Sequence, residues 1–388
     1  MKELILSLLT LLSVTLFGND TLNFFKPYLL STHPLGIFTS RINHNFNYKP
    51  SNYIIEFSLT RGNVWLPNVE NKLPNLKSDR DFLSNYVWHH RNWHMERLNI
   101  IDYKSRSMHC DGVFSNYYIT FKGPLNKKID FHSNIRFSSL HGGKVPYSLL
   151  TSDEAIELFH TNIAGGNDAF GRKRTEYGKA LLYYRDVNNN EINLKKGDFL
   201  TSEISNYINY YPKFNYRNIY FNLSALTSIS QMKKTWYFDL GISGSAVKKF
   251  KLNKNYLDWG VSSGILFPST FQNHKVIINN TNCLFSTEIH LNYEVIRKDK
   301  NSFVFGVNYH MQSNFHSMGE RQYNVIYHEG VTSHDHFGVS HLNRWLNGWS
   351  ILLGYNWKKT SINAFFREDL WVDNAPDAQV GWGFQRKF

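Results

Sequence analysis

The chain has 388 residues, 42% of them hydrophobic and 16% aromatic, with a formal net charge of +12. Its mean hydropathy is −0.42, and no apolar run after Phe17 is long enough to cross a bilayer as a helix, which excludes a helical membrane protein. Only two cysteines, Cys110 and Cys283, are present, which excludes a scaffold built on disulfides, and their predicted positions on non-neighbouring strands argue against a bridge.

The first eighteen residues have the organisation of a secretory signal peptide. Lys2 precedes an apolar stretch from Leu4 to Phe17, and the sequence becomes polar at Asn19. Such a stretch is too short for a membrane-spanning helix. We therefore predict a signal peptide at 1–18 and a single exported domain at 19–388. Export removes nucleic acid as the partner that a strongly basic chain would otherwise suggest.

Long stretches of the exported domain alternate apolar and polar residues with a period of two, as strands with two different faces do. The runs extend over about ten residues, which is typical of a membrane-spanning barrel wall, whereas strands of soluble sandwiches are usually about five or six residues long. The clearest runs lie at 283–295 and 302–312, joined by a basic turn, and others lie at 53–60, 129–137, 236–243, 257–267 and 349–357.

The last strand ends on an aromatic residue. Val380, Trp382, Phe384 and Phe388 fall on one face, opposite small or polar residues. This ending is typical of the closing strand of a bacterial outer-membrane β-barrel. It predicts an outer-membrane location and recognition of this strand by the barrel-assembly machinery.

The sequence therefore predicts an all-β fold, a transmembrane antiparallel β-barrel of about twelve strands, with ten or fourteen as alternatives. The strands near 198–211 and 217–228 and the segment 21–48 have the weakest patterns. Short periplasmic turns are predicted at 122–128, 212–217, 247–255, 297–300 and 358–359, and longer outer loops at 62–108, 140–197, 268–282, 313–347 and 369–377.

A short helix is predicted inside the loop 140–197. Thr151 and Glu154 have the spacing of a capping box, and Ala155, Ile156 and Phe159 fall on one face of the helix that follows. We expect this helix to pack on the barrel rim. Plugging of the barrel mouth and a flat position at the outer membrane interface are the alternatives.

Several phrases of the loops resemble a family of predicted bacterial outer-membrane β-barrels of unassigned function. The phrases, in chain order, are His141-Gly142-Gly143, Phe159-His160, Gly171-Arg172, Tyr183-Tyr184-Arg185-Asp186, Glu368-Asp369-Leu370 and Ala375-Pro376-Asp377. Their order and spacing carry the resemblance, which implies a fold and a location and supplies no catalytic residues.

Charged and histidine side chains on the polar faces are predicted to line the lumen. They could border a water-filled path and select small solutes, or pair across the interior and close it. We favour a narrow, porin-like passive channel, with a closed structural or surface-interaction barrel as the alternative. The predicted lumen-lining residues are Glu56, Asp130, His132, Arg136, Asp239, Asp258, Glu288, His290, Glu294, His310 and Arg367.

An enzyme is the third hypothesis. Some outer-membrane lipases place His and Ser two positions apart on one strand, but His310 and Ser313 are three apart and would face opposite sides. Two histidine groups, at 89–94 and 334–336, show no complete ligand set, so no metal or cofactor is predicted. Cations of the outer loops are expected to pair with phosphates of lipopolysaccharide, the predicted lipid partner.

Overall fold

The computed structural model describes residues 26, 28–30, 33–71, 77–78, 106–144, 148–164, 176–186, 188–216, 219–232, 235–272, 276, 278, 281–297, 301–315, 326–328, 331–333, 345–369 and 378–388. The predicted signal peptide and both histidine groups named above lie outside these residues, and so stay predictions. Among the described residues, no helix is long and apolar enough to cross a membrane.

Twelve antiparallel strands form a closed barrel, which confirms the predicted fold class and strand number. Each strand pairs with its sequence neighbours, and the first pairs with both the second and the last, so that the ring has no free edge. The strands are β1 (Ile54–Asn71), β2 (Arg106–Pro124), β3 (Ile129–His141), β4 (Phe199–Tyr210), β5 (Ile219–Met232), β6 (Thr235–Leu252), β7 (Asn255–Gln272), β8 (Leu284–Ile296), β9 (Ser302–Gln312), β10 (Leu346–Trp357), β11 (Thr360–Asp369) and β12 (Ala378–Lys387).

The two ends of the barrel differ in their connections. At one end, here called the turn end, β6 meets β7 through Asn253-Lys254, and β10 meets β11 through Lys358-Lys359. Asn253 and Lys358, the first of the two residues in each turn, adopt left-handed backbone conformations with φ of 56° and 53°, as the primed hairpin turns require at that position. The opposite end, here called the loop end, carries the long connections. The predicted turn at 247–255 was too long, because β6 and β7 continue their pairing to these two residues.

The loop end carries an extra strand pair inside the predicted loop 140–197. Leu181–Arg185 pairs with the outer part of β2 and with Glu191–Lys195, and together they form what we call the rim hairpin. Its Leu182 and Leu194 pack in an apolar cluster with Cys110 and Leu140. The two cysteines are not joined by a disulfide, and Cys110 is buried whereas Cys283 is exposed.

The predicted helix is present at Asp153–Phe159 and packs at the rim, where Ile156 contacts Ala378 of β12. Two details of its prediction were wrong. The capping side chain is Ser152, whose Oγ accepts a hydrogen bond from the Ala155 amide at 3.1 Å, because Thr151 belongs to the preceding 3-10 turn. Phe159 is partly exposed instead of sharing the buried face with Ile156.

Two motifs of the resemblance, those that contain Gly143 and Asp186, lie at this rim, whereas Gly171-Arg172, Leu370 and Ala375-Pro376-Asp377 lie outside the described residues. Asp153 accepts hydrogen bonds from the Asn63 side chain at 2.9 Å and the Gly178 amide at 2.8 Å. A Cβ on Gly143 would lie 2.3 Å from the Asp153 carboxylate, so the close approach requires glycine there. Asp186 accepts the amides of Asn188 and Asn190 at 2.8 Å each and thereby shapes the turn of the rim hairpin. These residues therefore have structural roles.

The outer face of the barrel is apolar and its interior is polar, the reverse of a soluble protein. Ile351, Leu353 and Ile362 are among the exposed large side chains, and exposed aromatic residues lie near both ends. Trp357, Phe250 and Tyr53 lie towards the turn end, and Trp236, Trp345 and Trp349 towards the loop end. This distribution matches a wall surrounded by lipid, with aromatic bands at the two interfaces.

An arginine placed on this face tests the lipid contact. Ile351 lies mid-strand on β10 and is 60% exposed. We expect Ile351→Arg to lower the free energy of unfolding from lipid vesicles by about 2–4 kcal/mol, the cost of Arg near the bilayer centre. Ile163 is also exposed, at 73%, but lies in the rim segment outside the barrel strands, so Ile163→Arg is the control and should leave stability unchanged. Equal effects of the two substitutions would contradict a lipid-facing wall.

Candidate functional site: a lumen filled by the N-terminal segment

The lumen contains the chain's own N-terminal segment. Its described residues, 26, 28–30 and 33–51, are here called the plug. Starting from β1, the plug rises from Ser51 at the turn end to a 3-10 turn, Pro34–Phe38, at the loop end, and then descends to Lys26. Most of the plug belongs to the segment 21–48, one of the three stretches with the weakest strand patterns, and its side chains are mostly buried.

The plug contacts all twelve strands of the wall. On β10 and β11 the contact is an apolar cluster of Leu29 with Leu352 and Phe365. On each of the other ten strands a hydrogen bond or an ion pair joins the plug to one wall residue, in chain order Thr60, Thr120, Asp130, Tyr207, Asn222, Asp239, Ser262, Glu288, His310 and Gln379. Such all-round contact shows that the plug occupies the cross-section of the lumen.

Polar contacts hold the upper part of the plug. Arg136 on β3 donates to the carbonyl oxygens of Ile37 at 3.0 Å and Thr39 at 3.1 Å, and its guanidinium also lies 2.5 Å from the Glu203 carboxylate. The Ser40 amide donates to the Asp239 carboxylate at 2.5 Å. The backbone of the turn is therefore held by charged groups of the wall, which form stronger hydrogen bonds than neutral groups do.

Aromatic and apolar side chains of the plug fit against glycines of β7. Phe46 stacks on His290 with ring centroids 4.8 Å apart. A Cβ on Gly260 would lie 2.6 Å from the Phe46 ring, and one on Gly264 would lie 2.8 Å from Ile42. The absence of a side chain at these two positions creates the room that the plug occupies. His44 sits between them and contacts Ser262 at 2.7 Å and Ser286 at 3.0 Å.

The descending arm of the plug ends in a buried ion pair. Tyr28 stacks on Tyr118, and its hydroxyl reaches His132 at 2.5 Å and Asn134 at 2.7 Å. Lys26 then pairs with Glu288 of β8, and both side chains are almost fully buried. A cavity of about 30 Å³ remains beside this pair, lined in part by Arg41 and Tyr207. That space holds about two water molecules.

The turn end of the plug is held by Asp130. Its carboxylate accepts the Ser51 amide at 2.7 Å, the Asn209 side chain at 2.7 Å and the Tyr211 hydroxyl at 3.0 Å. Burial, followed by the charge of Asp130, raises the pKa of Tyr211, which follows the end of β4. Tyr211 therefore keeps its proton and acts as a donor at neutral pH.

The residues predicted to line the lumen all lie on the inward face, but the structure divides them into groups. Seven contact the plug or lie against it: Asp130, His132, Arg136, Asp239, Glu288, His290 and His310. Three pair within the wall near the turn end: Glu56 with Lys122 at 2.8 Å, and Asp258 and Glu294 with Lys249 at 3.7 and 3.8 Å. Arg367 is buried against Gly348 of β10. Their contact with a solute stays a prediction.

Sequence reasoning missed the wall residue Glu203 and the whole plug. One signal was available: the sequence from residue 21 to residue 55 contains no Asp or Glu, although it contains Lys26, Arg41 and Lys49. The positive charge of this segment is complementary to the carboxylates predicted to face the lumen, as expected if the segment lies inside the barrel. The alternative in which the helix of the loop 140–197 plugs the barrel mouth was wrong, because this helix packs at the rim and the N-terminal segment fills the lumen.

The histidine and serine of the lipase hypothesis have separate partners. His310 faces the lumen, where its Nε2 lies 2.7 Å from the Arg41 guanidinium. Ser313 follows the end of β9, and its hydroxyl accepts the Phe285 amide at 2.9 Å. Among the described residues, no group of three or more His, Cys, Asp or Glu side chains is arranged to hold a metal ion.

No family model and no curated protein matches this chain. Solved structures that it resembles are membrane barrels. An outer-membrane channel from Pseudomonas putida F1 is 8% identical, with 89% of this chain and 99% of that one covered and a TM-score of 0.39. The β-domain of the Bordetella autotransporter BrkA is 6% identical, with coverages of 87% and 100% and a TM-score of 0.38. The transport unit of the Escherichia coli autotransporter AIDA-I is 9% identical, with coverages of 91% and 93% and a TM-score of 0.37.

Proposed function

We propose that the protein is a bacterial outer-membrane β-barrel that is closed at rest by its own N-terminal segment and conducts small solutes when that segment leaves the lumen. The contact of the plug with all twelve strands supports the closed resting state, and the small polar side chains of the wall behind the plug carry the proposal that it can leave. The apolar outer face and the closed ring of strands support the membrane location. The plug makes the resting state a closed one, so the proposed channel is gated instead of permanently open.

The composition of the wall supports a gate over a permanent core. The plug-facing surface of β5 to β7 consists largely of small polar side chains and glycines, such as Asn222, Ser224, Ser245, Gly260 and Ser262. These side chains are too short to fill the interior themselves, so the lumen without the plug would hold water. Each hydrogen bond exchanged for water on release costs only about 0.5–1.5 kcal/mol net. A closed structural barrel, in which the plug never leaves, is the second candidate, and the number of plug contacts favours it.

Conductance in planar bilayers separates the two candidates. We expect the wild-type protein to insert and remain silent. Gly260→Val should produce discrete conductance steps, because its Cβ alone would overlap the Phe46 ring and so weaken the seat of the plug. Gly354→Val is the matched control: this glycine also faces the lumen, but its added Cβ would meet Val304 of the wall at an ordinary 3.4 Å and no atom of the plug.

A silent Gly354→Val and a conducting Gly260→Val would support a gated channel. Silence of both, with folding verified for each variant, would support the closed structural barrel. Steady conductance of the wild type would contradict closure at rest. Recovery of the native protein in the outer-membrane fraction of cells tests the location separately.

A further inference from the structure

The charges of the plug and of the wall are complementary. The plug carries Lys26, Arg41 and Lys49 and no carboxylate. Inward-facing carboxylates below the rim outnumber inward-facing cations. The carboxylates are Glu56, Asp130, Glu203, Asp239, Asp258, Glu288 and Glu294, and the cations are Lys122, Arg136, Lys249, Arg367 and Lys387. The plug therefore compensates an excess of negative charge on the wall.

Release of the plug would affect the two kinds of wall charge differently. Glu288 would lose its cation, Lys26, and keep the Asn308 amide as a donor. Asp239 and Asp130 would each lose a backbone amide of the plug, those of Ser40 and Ser51. In contrast, the cations that pair with carboxylates within the wall would keep their partners. These are Lys122, Arg136 and Lys249, which lie beside Glu56, Glu203 and the Asp258–Glu294 pair.

An unplugged lumen would thus have a negative potential in its half nearer the loop end, where Glu288 and Asp239 face inward without a wall cation beside them. A water-filled path between low-dielectric walls concentrates ions of the opposite charge and excludes ions of the same charge. On this basis, and resting on the proposed gated channel, we infer that the open barrel selects small cations, inorganic or amine, and that Lys26 of the plug occupies the site at Glu288 that such cations pass.

The ion selectivity of an opened variant in the full-length chain tests this inference. In a bilayer with unequal KCl concentrations on its two sides, the reversal potential of Gly260→Val should show K⁺ permeating several-fold better than Cl⁻. Adding Glu288→Gln should bring the permeability ratio towards one, because it removes the carboxylate that loses its cation. Adding Glu154→Gln is the control, since Glu154 is exposed on the rim helix, and the ratio should not change.

The outcomes distinguish failure of the inferred cation selectivity from failure of the proposed gated channel. Conductance with equal permeabilities or with a preference for Cl⁻ would overturn cation selectivity and leave the gated channel in place. Cation selectivity that survives Glu288→Gln would overturn the site at Glu288. Lys26→Glu provides a second, independent way to open the barrel. Silence of both Gly260→Val and Lys26→Glu, in folded protein, would overturn the gated channel and the inference with it.

Discussion

Lys26→Glu is expected to convert the silent barrel into a conducting one. The substitution places a second carboxylate against Glu288 in a site where both side chains are almost fully buried. Removing one partner from a buried ion pair costs about 3–5 kcal/mol, and repulsion between two carboxylates adds to this cost. The plug can avoid the whole penalty by leaving the lumen, where water then solvates both groups. Single-channel recording should show frequent open events that the wild type lacks.

The charge-swapped double variant is the decisive control. Lys26→Glu combined with Glu288→Lys restores an ion pair of opposite polarity at the same position, so it should close the barrel again. Lys254→Glu makes the same change of charge in the exposed turn between β6 and β7 and should leave the protein silent. If Lys254→Glu opened the barrel as well as Lys26→Glu does, net charge and not the Lys26–Glu288 contact would be the cause.

The largest loss of stability is expected from Arg136→Ala. This side chain holds the carbonyl oxygens of Ile37 and Thr39 and lies beside the Glu203 carboxylate, and it is buried. Its removal leaves Glu203 as a buried charge without its cation and leaves two carbonyls of the plug without their charged donor. We expect the free energy of unfolding in detergent or lipid, measured by urea titration, to fall by about 3–5 kcal/mol.

The double variant Arg136→Met with Glu203→Leu distinguishes a buried-charge penalty from loss of packing. An apolar pair of similar volume often replaces a buried ion pair at little cost, so we expect the double variant to be more stable than Arg136→Ala. It should still loosen the upper turn of the plug, because methionine cannot donate to the two carbonyls. A double variant as unstable as Arg136→Ala would mean that the charges contribute little and that shape alone matters.

Most barrel strands could be predicted from the sequence because the alternation of outward and inward side chains depends only on neighbouring residues. Alternation with a period of two is visible within each strand, and it located β8 and β9, where Ile289 and Val307 face outwards, and the closing strand with Trp382. The ends of strands were less predictable. β6 and β7 continue to Asn253 and Lys254, because hairpin pairing carries polar residues such as Lys248 and Lys251 into the strand.

The plug could not be predicted in the same way, because its conformation depends on distant parts of the chain. Lys26 and its partner Glu288 are 262 residues apart, and the segment between His33 and Ser51 has no strand partner of its own. Its backbone hydrogen bonds go to side chains of the wall, such as Asp239 and Arg136, instead of to a neighbouring strand. Individual inward-facing charges were visible in the sequence, whereas their neutralisation by a cationic segment was visible only in the assembled barrel.

The measurement that tests this account most directly is disulfide trapping of the plug in the lumen. In a Cys283→Ser background, Phe46→Cys and Gly260→Cys would place two thiols where the ring now meets β7, with a distance of 2.6 Å from the Phe46 ring to the site of a Cβ at position 260. Mild oxidation of the folded protein should form the cross-link, and the pair Phe46→Cys with Gly354→Cys, which lies three strands away on β10, should not. Failure of the first pair to cross-link in folded protein, or equal reaction of both pairs, would contradict a plug seated in the barrel.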